Sequence, residues 1–419
     1  MKKQLTQNLP LVAIDLGSHS VRAIAAERVD RDTLHILGYE QSTKYPSIDR
    51  GVVQQVSNTG FMISETLKLL SNRIGVADLP TAFVLTGGRT MQSVVVGSKR
   101  DLIRPHEITT NILNECQQEC KQKIETKYPD AAVLGLVPAC YILDGKQQDE
   151  LPTPAQRTRQ FEVLYTAFVG KKELETKLTE SFNRGNKSME QVFPRPEALL
   201  SAFAAEDSSV LENGCAVIDM GAQTTTLSIY RGNHYLLNRV IPLGGYHISR
   251  NIEQQGIPFV AAEQIKCQIG VASPRLVKAN KTVRLRADNG ESTIQFTIAE
   301  LAEVIEQKLD EIFTPIVEQL SQHPIRTVFL TGGGSLLMGI DQYLQQKTNL
   351  RVLYGSHACL LDHDTPDEFC SPQFSSLVGA LILGADYRDA HPAETVRKPN
   401  FFERIAEKTG ELFIDENNY

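Results

Sequence analysis

No stretch of the 419-residue chain stays apolar for the roughly 20 residues that a bilayer-spanning helix requires, which excludes a helical membrane span. Met1 to Pro10 carries two lysines but no apolar stretch before Leu11, so no signal peptide is expected. Excess positive charge is also missing. The 43 Lys and Arg stand against 50 Asp and Glu, a formal net charge of −7. A nucleic-acid coat needs a basic footprint to neutralise phosphates, so no nucleic-acid partner is expected. Cysteine is sparse and odd in number: Cys116, Cys120, Cys140, Cys215, Cys267, Cys359 and Cys370. Only Cys116 and Cys120 are close, on one face of a helix, and two sulfurs without nearby histidines do not make a metal site. The seven read as small hydrophobes of a protein in a reducing compartment.

Two stretches of the chain read alike. Leu11-Val-Ala-Ile-Asp15-Leu-Gly17-Ser18-His19-Ser20 leads into Val21-Arg22-Ala-Ile-Ala25, and Cys215-Ala-Val-Ile-Asp219-Met-Gly221-Ala222-Gln223-Thr224 leads into Thr225-Thr226-Leu-Ser-Ile229. Each is an apolar run ending in Asp-x-Gly, a short turn with hydroxyl residues, and a second apolar run: a β-hairpin. Two copies so far apart point to duplication of a whole domain, and the chain length suits two to three domains. Elsewhere the pattern predicts helices over Gly60–Asn72, Lys171–Arg184, Thr297–Leu320 and Leu336–Gln346. Strands are predicted over Thr81–Thr86, Phe161–Gly170 and Ile325–Leu330, and Asp101–Lys127 reads as a turn leading into a helix. The alternation of strands and helices favours an α/β class.

The two carboxylates carry the sharpest chemistry. An Asp at a strand end followed by Gly lets backbone N–H groups approach a phosphate, while the carboxylate faces the accompanying metal. Ser18, Ser20, Thr224 and Thr225 add small donors. Later, Phe329-Leu-Thr331-Gly332-Gly333-Gly334-Ser335 runs from a strand through three glycines into a helix. Tandem glycines strip side chains from a turn, so a flat ligand can lie against its backbone.

These features, in this order, resemble the actin-like ATPase superfamily, whose fold is duplicated and ribonuclease H-like. Asp15-Leu-Gly-Ser looks like its first phosphate loop, Asp219-Met-Gly-Ala-Gln-Thr-Thr its second, and Leu330-Thr-Gly-Gly-Gly-Ser335 its adenosine motif. Pro196-Glu197-Ala198 is similar to the first connecting helix and Ser375-Ser-Leu-Val-Gly379 to the second; Ala262-Glu263-Gln-Ile-Lys266 sits where members place a Glu and a Lys beside the nucleoside. The pattern between Gly88 and Phe168, the stretch Val240 to Ser249 and the polar linker before the C-terminal segment resemble the FtsA family of cell-division proteins.

That resemblance implies a first actin-like half over 9–87 and 168–205, and an inserted α+β subdomain over 88–167. It implies a second half over 206–250 and 313–388, a small subdomain over 251–312, and a linker with an amphipathic helix over 389–419. It implies ATP and magnesium between the halves, with Asp15 and Asp219 toward the metal and Glu197 and Asp219 as the groups that would orient water. The nucleotide would meet Gly17, Ser18, His19, Ser20, Arg22, Gly221, Thr224, Thr225, Glu263, Lys266, Gly332, Gly333, Gly334 and Ser335. Ala222 and Gln223 stand where the family has glycines, Thr226 where it often has Asp, and Ser20 where it tends to have Lys, with Arg22 as the expected substitute. Binding is therefore implied ahead of hydrolysis, with at most a slow ATPase. The implied partners are an FtsZ-like tubulin homologue, further copies of this chain in filaments, and the inner face of the cytoplasmic membrane at the division site. A PilM-like assembly adaptor, or an actin-fold kinase or phosphatase of a small metabolite, are the alternatives.

At 100° per residue, Phe401, Phe402, Ile405, Leu412 and Phe413 fall within an arc of about 120°, opposite Glu403, Arg404, Glu407, Lys408 and Glu411. This predicts a helix lying on a membrane surface, far too short to span one.

Overall fold

The computed structural model describes residues 9–391 apart from 46, 205–207, 233 and 287–292. The candidate membrane helix with Phe401, Phe402, Ile405, Leu412 and Phe413 lies outside the described residues. Two five-stranded sheets share one topology. In the first the order is Ser188–Pro194, Thr81–Thr86, Leu11–Leu16, Val21–Arg28 and Leu34–Ser42. In the second, read from the opposite edge, it is Arg351–Tyr354, Thr327–Thr331, Cys215–Met220, Thr225–Arg231 and His234–Ile241. Each sheet joins a three-strand antiparallel meander to two parallel strands.

Strand alternation decides which way the two acids face. Val12, Ile14 and Leu16 pack with Met62, Ile63, Leu67 and Phe182 of the helices Val56–Arg73 and Lys172–Arg184. Leu11 and Ala13 pack instead with Ala198, Leu377, Val378 and Leu381 of the helices Arg195–Ala204 and Ser375–Ala390. With a period of two, Asp15 shares the second face. In the other sheet Ala216, Ile218 and Met220 pack with the long helix Ile298–Ser321, whereas Cys215 and Val217 pack with Leu199, Leu200 and Phe203. Asp219 therefore faces the helix Arg195–Ala204 too. That helix lies between the sheets, and its crossing with Ser375–Ala390 is so close that a Cβ on Gly379 would stand 1.8 Å from the Ala198 carbonyl oxygen.

Between the halves of the first unit, strands Gln92–Glu107, Arg157–Lys171, Ala131–Leu143 and Lys146–Gln148 form a separate sheet in that spatial order. The helix Thr110–Lys127 covers it, burying Cys116 and Cys120 with Tyr141, Phe161 and Val163. No disulfide links any of the seven cysteines. Asp101–Glu107 is strand where a turn and helix start were expected. Pairing with Arg157–Lys171 extends the strand, and the helix begins only after Thr109, whose Oγ1 accepts from the Ile112 N–H at 3.4 Å. Thr297 and Glu300 form a reciprocal capping box at the start of Ile298–Ser321. Instead of one helix over Leu336–Gln346, a 3₁₀ turn at Gly333–Leu336 precedes the helix Ile340–Thr348, because Gly339 breaks the run at φ 77°. No helix among the described residues is long and apolar enough to cross a membrane.

Candidate functional site

Leu16, Thr86 and Pro194 end the three parallel strands of the first sheet, and Gly17, Gly87 and Arg195, next in the chain after each, line one cavity of about 470 Å³ between the halves. In open α/β sheets the crevice beyond such strand ends is where ligands bind. The two Asp-x-Gly turns are built alike. The Gly17 N–H donates to the Ser20 carbonyl at 3.1 Å and the Gly221 N–H to the Thr224 carbonyl at 2.8 Å. A Cβ would stand 3.0 Å from Ser20 O at Gly17 and 3.1 Å from Thr224 O at Gly221, so a side chain at either position would press on its own turn.

Asp15, Gly17, Ser18, His19, Ser20 and Arg22 line the cavity from the first half; Asp219, Gly221 and Thr224 line it from the second. Glu263, Lys266, Gly332, Gly333 and Gly334 complete the group. Three of the residues expected there do not line it. Thr225 is buried and its hydroxyl donates to the Leu243 carbonyl at 2.9 Å. Ser335 is buried and donates to the Gly332 carbonyl at 2.7 Å. Glu197 points away from the cleft toward the inserted sheet, where a Cβ on Gly135 would stand 3.8 Å from its Oε2. Burial pushes the Glu197 carboxyl up to about 8. It is thus poorly placed to orient water in the cleft, because the helix that carries it presents Arg195 there instead.

The Gly-rich turn has a different physical basis from the one its sequence suggests. Gly332 has φ 81°, and a Cβ there would fall 2.4 Å from Asp219 Oδ1; at Gly334 it would fall 2.5 Å from Met220 Cγ. These two glycines let the turn pack on the strand bearing Asp219. Only Gly333 meets nothing within 4 Å and leaves open backbone.

Several contacts frame the cavity, and two of them, Gln223 with Arg50 and His19 with Tyr246, join the halves. Ser18 Oγ accepts from the Gly51 N–H at 3.1 Å, and Gln223 Oε1 accepts from the Arg50 N–H at 2.7 Å. The Gln223 side chain is thereby held on the facing loop. His19 Nδ1 lies 2.5 Å from the Tyr246 hydroxyl across the mouth of the cleft. Burial lowers the His19 imidazole below its ordinary value. Lys266 Nζ donates to both oxygens of Glu263 at 2.8 Å and to the Gly245 carbonyl at 3.1 Å. Burial alone would raise the Glu263 carboxyl, but Lys266 outweighs it and holds the group below its ordinary range.

At the floor stands Arg195, which begins the inter-sheet helix with Pro196 in its first turn, where a missing N–H costs nothing. Its Nη2 donates to Asp15 Oδ1 at 2.5 Å and its Nη1 to Asp15 Oδ2 at 3.2 Å, a bidentate fork. Its Nε lies 3.6 Å from Asp219 Oδ2. Arg22, which faces Asp15 across the strand pair, also donates to Asp15 Oδ2, and through Nη1 to the Gln373 carbonyl at 3.0 Å. Burial would raise the Asp15 carboxyl; the charges and hydrogen bonds of Arg195 and Arg22 reverse that and hold it well below the carboxylate range. For Asp219 burial prevails, and with Asp15 nearby it lifts the carboxyl above its ordinary value despite Arg195. Arg195 was not among the residues singled out in the sequence. Two carboxylates facing one buried floor demand cations, and the arginine preceding Pro196-Glu197 was the available signal.

A family model described as "Cell division protein FtsA" matches residues 216–379. The chain is 24% identical over 391 residues to the cell division protein FtsA of Bacillus subtilis, covering 90% of this chain and 84% of that protein. It is 25% identical over 393 residues to that of Borreliella burgdorferi, covering 90% and 91%. The chain is FtsA-like. Its fold is the actin-like one seen in a PilM–PilN type IV pilus biogenesis complex (TM-score 0.64, 15% identity, 90% of this chain and 98% of that one). MreB5 of Spiroplasma citri, crystallised with ADP, has the same fold (TM-score 0.52, 14% identity, 92% and 98%). The FtsA match takes in the second Asp-x-Gly turn, the Glu263–Lys266 pair and the Gly332–Gly334 turn.

The magnesium expected beside Asp15 and Asp219 does not fit these residues as they stand. Both oxygens of Asp15 are taken by guanidinium groups, and Asp219 faces Arg195. Among the described residues no group of three or more His, Cys, Asp or Glu side chains gathers to hold a metal ion.

Proposed function

We propose that this FtsA-like chain binds ATP between its two halves and uses it as an assembly switch in cell division. The observation that carries the reading is the meeting of both Asp-x-Gly turns, the Gly332–Gly334 turn and the Glu263–Lys266 pair on one cavity. Its size, about 470 Å³, is within the ordinary range for small-molecule sites. The two turns front the phosphates, and the open backbone at Gly333 and the Glu263–Lys266 pair meet the nucleoside. Calorimetric titration of ATP tests this directly: a single saturable site is expected, weakened about tenfold in Lys266→Ala, and absence of binding heat would overturn it.

Hydrolysis is slow in this reading, because Glu197 faces away from the cavity and Asp219 faces Arg195. Steady-state turnover well below the roughly 10 per second of a median enzyme is expected. ATP-bound copies assemble into filaments, dock an FtsZ-like tubulin homologue on residues 251–312, and attach to the inner face of the cytoplasmic membrane at the division site. Co-sedimentation with the tubulin-like partner tests the docking, and deletion of residues 88–167 should impair filaments while leaving it intact. Liposome pelleting tests the anchor: weak, salt-insensitive binding is expected, lost in Phe401→Asp plus Phe402→Asp, since the segment from Lys398 to Tyr419 is net acidic and attachment must be apolar.

A further inference from the structure

The floor of the cleft is electrically complete without a metal. Its two acids, Asp15 and Asp219, face two guanidiniums, Arg22 and Arg195, and the neighbouring Glu263 is matched by Lys266. Asp15 is 1% exposed, so a hydrated ion cannot reach it without displacing an arginine. Arg195 occupies the point between the halves: a fork on Asp15 of the first sheet, an Nε toward Asp219 of the second, and Nη1 3.5 Å from Ser376 Oγ on the crossing helix. Arginine stays charged at any working pH and its planar donors match carboxylate and phosphate geometry alike. A divalent cation requires oxygens that are free to coordinate, from carboxylates, water or substrate phosphates, and the two carboxylates at this floor already face guanidiniums.

We propose that Arg195 takes the place of the divalent metal, joining the two aspartates across the halves, so that the cleft receives a nucleoside polyphosphate without magnesium. The second clause rests on the nucleotide reading above; the first does not. Arg195 also lines the cavity, so the same guanidinium presents positive charge to the phosphates.

Two measurements on the full chain decide it. The first compares ATP affinity by calorimetry in excess magnesium and in excess EDTA. Affinities within about threefold are expected, and a fall of about tenfold or more in EDTA would overturn the proposal. The second titrates the nucleotide-free protein with manganese, followed by electron paramagnetic resonance. The wild type should show no tight site, whereas Arg195→Met should gain one that Asp15→Asn then removes. A stoichiometric manganese site in the wild type, lost in Asp15→Asn, would overturn the substitution of arginine for metal. If Arg195→Met fails to fold, Arg195→Lys keeps one charge and should retain ATP binding in EDTA with reduced affinity; magnesium-dependent binding by that variant would count against the proposal. ATP binding absent under both conditions removes the nucleotide reading, while the manganese titration still decides what Arg195 does.

Discussion

The two halves place an aspartate at the same point of the same hairpin, yet the two aspartates live differently. Asp15 pairs in register with Arg22; Asp219 pairs in register with Thr226. Asp15 therefore has a cation on its own sheet and a second from the inter-sheet helix, while Asp219 meets the edge of Arg195 and feels Arg22 from farther off. The outcome is opposite in sign: Asp15 is held ionised and Asp219 is pushed toward its neutral form. A duplicated backbone fixes where a carboxylate stands; the cations packed around it, Arg195 before Arg22, decide its charge.

The largest expected effect breaks this comparison at its strong end. Asp15→Asn leaves two largely covered guanidiniums without their carboxylate and should cost about 3–5 kcal/mol in urea unfolding, whereas Asp219→Asn should cost about 1 kcal/mol or less. Equal losses would mean that the two sites are equivalent after all. The signs also separate with pH. The stability supplied by Asp15 is present above the unfolded carboxyl value and is lost as pH falls toward its depressed folded one.

Glu197 runs the other way. Its folded value of about 8 stands above the ordinary 4.5, so its contribution is full below 4.5 and is lost as pH rises through 8. Glu197→Gln should be more stable than the wild type at pH 9 by about 1–3 kcal/mol, with the difference vanishing near pH 4. Thermal melts across that range check it, and a pH-independent difference would contradict the burial argument.

The glycine turn offers a comparison within one motif. Gly332→Ala forces a Cβ toward Asp219 at a positive φ and should cost about 1–3 kcal/mol; Gly333→Ala, facing open space, should change stability by less than about 0.5 kcal/mol. A further test makes the first half imitate the second. Arg22→Thr leaves Arg195 on Asp15 and should cost only about 1–2 kcal/mol, since one charged hydrogen-bond partner remains. A loss as large as that of Asp15→Asn would move the main role from Arg195 to Arg22.

What the sequence by itself determined is what repeats over a few residues. The two hairpins with Asp15 and Asp219 at their turns, and the order of motifs resembling the FtsA family, were legible in the chain. Local spacing also placed Lys172–Arg184 and Ile298–Ser321 as helices almost to their ends. Asp101–Glu107 escaped it because a strand's extent depends on a distant partner, here Arg157–Lys171. The occupant of the floor escaped it for the same reason. Arg195 lies 180 residues from Asp15, and only the packing of its helix between two sheets brings its guanidinium onto both acids. The same packing turned Glu197 toward Gly135 and gave Gly332 and Gly334 to the protein's own Asp219 and Met220. Periodicity specifies the side of a strand on which a residue lies; the charge that meets it there comes from long-range packing, and tertiary structure alone decided that.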